Sequence, residues 1–174
     1  MAGLARWWSR LSPNARLVVG LVIICLVGLA GLTPKTVLGM TIPWPYAALW
    51  GAAGWGAAGM SFRPMIFLAL LGVAQDVASN APIGAFMLVN LAAYGASATM
   101  AEAFDIEGDL GARAAAPALS IGAGFFTLWL IASGTADHAV RVGPILGAFV
   151  VTLGAYYLAA RAFWIGGDLQ GRRA

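Results

Sequence analysis

An acid and an amide stand side by side in an apolar stretch of this chain, as Gln75 and Asp76 within the run 63–84. An ionised Asp in hydrocarbon costs about 2.5–3.5 kcal/mol, so a carboxylate kept there is expected to have a role or to lie outside the hydrocarbon. It could hold a proton, a substrate or a partner helix. It could also end a helix and accept hydrogen bonds from the backbone of the turn at 82–84. The residue types alone leave both interpretations open.

Two more polar residues, Asn90 and Tyr94, are four positions apart in the next apolar run, so they share one helical face. Together with Gln75 and Asp76 they are the one credible set of donors and acceptors for a small ligand inside the membrane. The set is small for a ligand the size of a vitamin. Gln75 and Asp76 also project about 100° apart on a helix, so they need not face one cavity.

Catalytic and metal-binding patterns are weak. The single histidine, His138, follows Asp137 in a predicted loop, without a nucleophile elbow, a Cys-His pair or metal-ligand spacing. The acidic residues between Glu102 and Arg113 do not fit EF-hand spacing and indicate a solvated loop. We therefore expect no catalytic residue, metal site or cofactor. A membrane enzyme acting on lipid-linked precursors would also need a nucleophile or base that the sequence does not offer.

The composition is that of one integral membrane protein. The 174 residues are 61% hydrophobic and 10% charged, with a mean hydropathy of +0.84. A soluble domain carries roughly 25% charged residues. The net charge of +3 comes from basic residues between apolar runs and at the termini, which is typical of topology signals and not of nucleic-acid binding. The single cysteine, Cys25, lies in an apolar run and excludes a disulfide framework.

Six apolar stretches predict an all-α bundle of six transmembrane helices in one domain, 1–174. The first could be a signal peptide, but its length favours a retained helix. The second follows Trp44 and Tyr46, where an aromatic belt is expected, and its many Gly and Ala residues predict packing inside the bundle. The third is short for a crossing, so Asp76 should lie near its exit end. The predicted spans are 17–32, 46–60, 65–79, 85–100, 115–133 and 142–160.

The basic residues predict the orientation. Six spans put both termini on one side, and assigning that side to the cytoplasm leaves only Lys35 and Arg141 of the ten basic residues outside. In the sixth span, Gly143 and Gly147 form a GxxxG pair. Internal helix packing is favoured over dimerisation for this pair.

The run around Asp76 resembles the MreD family, the rod shape-determining membrane proteins of bacteria. The family core reads as Gly, Asp four residues later, and then a Pro-Leu-Gly-like turn, in which Ile83 here replaces the usual Leu. An Arg-Pro pair before the third span also fits. The residues that carry or adjoin the resemblance are Arg63, Pro64, Gly72, Gln75, Asp76, Pro82 and Gly84.

The resemblance implies a non-enzymatic component of the elongation (rod) complex, the elongasome, in the bacterial inner membrane. Such a component supports lateral peptidoglycan synthesis and rod cell shape. Its partner would be the transmembrane helix of MreC, with RodA and penicillin-binding protein 2 (PBP2), and indirectly MreB, in the wider assembly. The fold is also similar to the S components of energy-coupling-factor transporters, which implies an alternative function as a vitamin-binding subunit.

Overall fold

The computed structural model describes residues 12–31, 36–37, 40–41, 43–104, 110–135 and 140–163, which form an all-helical protein. Between the first two helices lies a small antiparallel hairpin of two-residue strands, β1 (Thr36–Val37) and β2 (Met40–Thr41). The helices are α1 (Pro13–Gly31), α2 (Ala48–Gly56), α3 (Phe62–Ser79), α4 (Ala85–Ala103), α5 (Leu110–Thr135) and α6 (Val142–Phe163).

Four of the described helices, α1, α3, α5 and α6, are long and apolar enough to cross a membrane. By length and composition, these helices are consistent with the membrane character predicted from the sequence. α4 is as long as α1 but falls outside this group, mainly because Asn90 and Glu102 lower its mean hydropathy.

The prediction of a spanning helix at 46–60 is wrong in its length. α2 has only nine residues, which rise about 14 Å, less than half of the roughly 30 Å hydrocarbon core. Two causes shorten it. Pro43 and Pro45 prevent the helix from extending toward the N-terminus, and on its C-terminal side the chain turns at Gly59, where φ is +92°.

α2 lies at the centre of the bundle. All nine of its residues are buried, and it packs against each of the other five helices. Its glycines allow this: a Cβ at Gly54 would lie 2.5 Å from Cβ of Phe163, and one at Gly56 would lie 2.6 Å from Cβ of Ser97. The prediction that this small-residue segment packs inside the bundle is confirmed.

The other five helices surround α2 as an incomplete ring. α3 packs on α4, α4 on α5, α5 on α6, and α6 on α1. α1 and α3 lack the extensive contacts of these pairs, and a hydrogen bond at their N-terminal ends joins them: a guanidinium N–H of Arg63 donates to Oδ1 of Asn14 at 2.7 Å. The ring therefore has a seam between α1 and α3.

Candidate functional site

Asp76 lies in the last turn of α3, and its carboxylate caps the N-terminus of α4. Oδ2 accepts the backbone N–H of Gly84 and Oδ1 that of Phe86, each at 2.7 Å. The first N–H groups of a helix have no partner within the helix, and a negative charge there is favourable. Asp76 is only 1% exposed. Its position near the exit end of α3 matches the sequence prediction, and its contacts are those of the backbone-bonding interpretation.

Asp76 stabilises the turn between α3 and α4 with both its side chain and its backbone carbonyl. While the carboxylate binds the start of α4, the backbone carbonyl of Asp76 accepts the N–H groups of Asn80 and Ala81. Asn80, with φ of +52°, ends α3 in the left-handed conformation, and Gly84, with φ of +97°, precedes α4. Gly84 is thus the one residue of the Pro-Ile-Gly turn whose backbone requires glycine.

Gly72 lies one turn before Asp76, on the face of α3 that meets α4. A Cβ at Gly72 would come within 2.4 Å of both Cα and N of Met87. The glycine therefore permits a close approach of the α4 backbone, and the acid binds the N–H groups brought near by that approach. This explains the Gly-x-x-x-Asp spacing in physical terms, since residues four apart share one helical face.

Gln75 faces a different set of partners from Asp76. Its Oε1 accepts the hydroxyl of Tyr46 at 2.7 Å and the amide Nδ2 of Asn90 at 3.3 Å. The same Asn90 nitrogen also donates to the carbonyl of Leu68 at 3.2 Å. Asn90 is fully buried, and its Oδ1 has no hydrogen-bond partner among the described residues.

Tyr94 holds the turn that joins α2 to α3. Its hydroxyl accepts the N–H of Ser61 at 2.7 Å and lies 3.1 Å from the Ser61 carbonyl and 3.3 Å from that of Gly59. Asn90 and Tyr94 thus share the predicted face of α4, but they meet different segments. Both side chains bind the protein itself.

Several residues of this polar interior were not predicted as site residues. The sequence predicts an interfacial aromatic belt at Tyr46. In the structure, its hydroxyl donates to Oε1 of Gln75, and its backbone N–H donates to Oγ1 of Thr152 at 2.9 Å. Ser97 donates to the carbonyl of Ala53 at 2.7 Å. The spacing of Asn90, Tyr94 and Ser97 at i, i+4 and i+7 could have identified Ser97, whereas no local pattern links Tyr46 to Thr152.

The remaining predicted residues are dispersed. Arg63 and Pro82 are exposed, and Pro64 is buried in the first turn of α3. His138, Asp137 and the centre of the acidic loop, 105–109, lie outside the described residues. Among the described residues, no group of three His, Cys, Asp or Glu side chains could hold a metal ion.

The GxxxG pair of α6 has few neighbours among the described residues. No described atom lies within 4 Å of a Cβ built at Gly143, and Gly147 meets only Cγ of Pro43, at 3.6 Å. The contacts of α6 with its neighbours include the side chains of Thr152, whose Oγ1 accepts the Tyr46 N–H, and Phe149, whose ring meets that of Phe125. Among the described residues, Gly143 and Gly147 make no helix contact, and internal packing through this pair stays a prediction.

The candidate site is thus the α3–α4 hairpin, in which a close backbone approach is combined with buried hydrogen bonds. Its carboxylate and amides bind backbone groups and each other, an arrangement that stiffens the hairpin. Comparison of the chain with protein-family models, with curated proteins and with solved structures gave no match.

Proposed function

We propose that this chain is a non-enzymatic scaffold of the bacterial rod complex, related to the MreD family, and that it binds the transmembrane helix of MreC. The observation that carries the proposal is that the motif residues form one structural unit. Gly72 admits the α4 backbone, Asp76 binds its first N–H groups, and Gly84 provides the left-handed turn between them. A motif that builds a rigid hairpin suits a protein whose task is to hold others in place.

The use of the buried polar groups supports a scaffold over a catalyst. A catalytic base or nucleophile must lie within hydrogen-bond reach of a bound substrate, and Asp76 is only 1% exposed. Both oxygens of Asp76 and the oxygen of Gln75 accept hydrogen bonds from this chain instead. These polar groups therefore stabilise the fold of this chain through internal hydrogen bonds.

The outward-facing surfaces are suited to lipid and to partner helices. α3 exposes a stripe of large apolar side chains at positions three or four apart, and α1 exposes a similar stripe. We place the protein in the bacterial inner membrane with both termini in the cytoplasm, since that orientation puts eight of the ten basic residues inside.

The decisive experiment is a detergent pull-down of the tagged protein from its native membrane, followed by mass spectrometry. We expect enrichment of MreC and of the RodA–PBP2 pair. A matched pull-down with Asp76→Ala should lose these partners in proportion to the disturbance of the α3–α4 hairpin, whereas Glu102→Ala, an exposed acid near the end of α4, should retain them. Recovery of neither MreC nor RodA with the unaltered protein, at normal abundance, would refute the proposal.

A strain carrying only the Asp76→Ala variant gives a second test. We expect rounded or widened cells, because the variant weakens the hairpin that carries the motif. Normal rod shape with a normal level of the variant would remove Asp76 from this account, while leaving the pull-down to decide the rest.

One observation favours the alternative, a vitamin-binding S component: Oδ1 of Asn90 is buried without a partner among the described residues. It is a single acceptor, and its neighbours Gln75 and Tyr94 bind the chain itself. Tight binding of a vitamin by the purified protein, or recovery of a transporter coupling subunit with ATPases, would establish this function instead.

A further inference from the structure

A groove of about 290 Å³ opens on the surface at the seam between α1 and α3. Four apolar side chains line most of it, and two polar side chains lie beside the helix starts. The lining residues are Leu17, Val18, Ile66 and Phe67, with Asn14 and Arg63. The groove therefore offers an apolar surface with a cation at one end.

Arg63 is available to a ligand at this groove. It is exposed, and of its five N–H donors one binds Asn14. No carboxylate of the described residues forms an ion pair with it. A guanidinium presents a planar set of donors that matches the oxygens of a phosphate.

The seam gives access from the side. Elsewhere in the ring, neighbouring helices pack on each other, but α1 and α3 do not pack along their length. Val18 and Ile66, which line the groove from the two helices, are about half exposed, at 53% and 48%. A molecule lying in the bilayer could therefore place an apolar chain in the groove without displacing a helix.

From this combination we propose that the α1–α3 groove is a binding site for an anionic phospholipid. An acyl chain lies against Val18 and Ile66, and the phosphate is bound by Arg63. The positive charge of Arg63 favours an anionic lipid over an apolar partner helix. The lipid phosphate supplies an anion for the guanidinium, and an apolar helix does not. The inference depends on the membrane character of the protein and not on its proposed partners.

The test is native mass spectrometry of the purified protein titrated with phosphatidylglycerol or phosphatidylcholine of identical acyl chains. We expect one tightly bound phosphatidylglycerol per chain and weaker binding of phosphatidylcholine. Arg63→Ala should weaken phosphatidylglycerol binding about tenfold, the effect of one lost charge-assisted contact. Arg141→Ala is the matched control, because Arg141 is also exposed and stands at the start of a helix, α6, and it should bind lipid as the unaltered protein does.

A second pair of variants tests the apolar part of the groove without changing its charge. Val18→Trp should fill the groove and reduce phosphatidylglycerol binding, while Leu146→Trp, at an exposed position on α6, should not. Thermal melting of each variant establishes that it is folded. Equal affinity for the two lipids, equal effects of Arg63→Ala and Arg141→Ala, or no effect of Val18→Trp would overturn the proposal.

A partner helix is the competing occupant of the groove, and crosslinking distinguishes it from a lipid. In native membranes, a cysteine placed at Val18 should not form a specific crosslink to another membrane protein if lipid fills the site. A specific crosslink that phosphatidylglycerol does not compete away would overturn the lipid proposal and assign the groove to that protein. Failure of the lipid test leaves the pull-down of MreC unaffected, so the two proposals fail separately.

Discussion

The bundle contains two antiparallel helix pairs, α3–α4 and α5–α6, that are held together in different ways. In α3–α4, the backbone of one helix touches the other at Gly72, and a carboxylate of one binds backbone N–H groups of the other. In α5–α6, the pair is joined by side chains: Phe125 meets Phe149 edge to face with ring centroids 6.0 Å apart, and the Tyr157 hydroxyl donates to the Ala114 carbonyl at 2.6 Å.

The difference determines how each pair should respond to substitution. Side-chain contacts can be repacked, since a neighbouring side chain can adopt another rotamer. A backbone approach and a buried cap cannot adapt in this way, because the atoms that must move belong to the helix itself. We therefore expect matched substitutions to be harmful in α3–α4 and mild in α5–α6.

The largest contrast is expected between Gly72→Ala and Gly143→Ala. The new methyl group at position 72 would lie 2.4 Å from the backbone of Met87 and force the helices apart, whereas one at position 143 would meet none of the neighbouring residues that the structure describes. Gly72→Ala should destabilise by about 3 kcal/mol or more, at the upper end for overpacking, and Gly143→Ala by no more than about 0.5 kcal/mol. Thermal unfolding in detergent measures both. Equal melting temperatures would show that α3 and α4 do not approach as closely as described.

The next contrast tests the carboxylate. Asp76→Ala leaves the N–H groups of Gly84 and Phe86 without their acceptor and should destabilise by about 2 kcal/mol. Asp76→Asn keeps one acceptor oxygen and should recover part of the loss. Glu102→Ala, at an exposed acid, should change stability little. If Asp76→Ala and Glu102→Ala unfold at the same denaturant concentration, the cap contributes nothing to stability.

A smaller contrast is expected between two tyrosines. Tyr94→Phe removes the acceptor of the Ser61 N–H and should cost about 1 kcal/mol. Tyr157→Phe should cost less, because its acceptor is a carbonyl within α5 that keeps a helical partner. Urea-dependent unfolding of both variants measures the difference. A larger loss of stability for Tyr157→Phe than for Tyr94→Phe would contradict the expectation that α5–α6 tolerates substitution better than α3–α4.

The smallest contrast involves hydroxyl groups. Ser97→Ala breaks a bond from α4 to the carbonyl of Ala53 in α2 and should cost about 0.6 kcal/mol, the average for such bonds between membrane helices. Thr127→Ala removes a bond to a carbonyl of its own helix, that of Ala123, and should be nearly neutral. In the double variant Gly72→Ala/Ser97→Ala, a loss of stability smaller than the sum of the two single losses would show that the two residues are energetically coupled.

Sequence reasoning succeeded where the cause is local. Apolar runs separated by Pro, Gly and polar residues placed five helices within a few residues of their observed ends. The Pro-Ile-Gly turn after Asp76 suggested a helix end with backbone-bonding needs, and i,i+4 spacing placed Asn90 and Tyr94 on one face.

Sequence reasoning failed where the cause is distant. Trp50 donates its indole N–H to the carbonyl of Thr152 at 2.9 Å, across 102 positions, and nothing near either residue predicts the pair. The glycines make the same point. GxxxG identifies a surface that another helix could approach. Among the described residues, the pair in α6 meets only the ring of Pro43, whereas the isolated Gly72 meets a helix backbone. Residue spacing shows which approaches are permitted, and tertiary packing decides which of them occur.

The short central helix also has a consequence for how the protein is made. α2 is too short to remain in a bilayer as an independent stop-transfer segment. Two hydrogen bonds that hold this part of the chain, from the Tyr46 N–H and from the Trp50 indole, are accepted by Thr152 of α6, which is made after α2. During insertion, α2 can pack on α4 and α5 before α6 is made, but these two hydrogen bonds form only after Thr152 has been synthesised. The anchoring of the short central helix is thus completed by a helix made well after it.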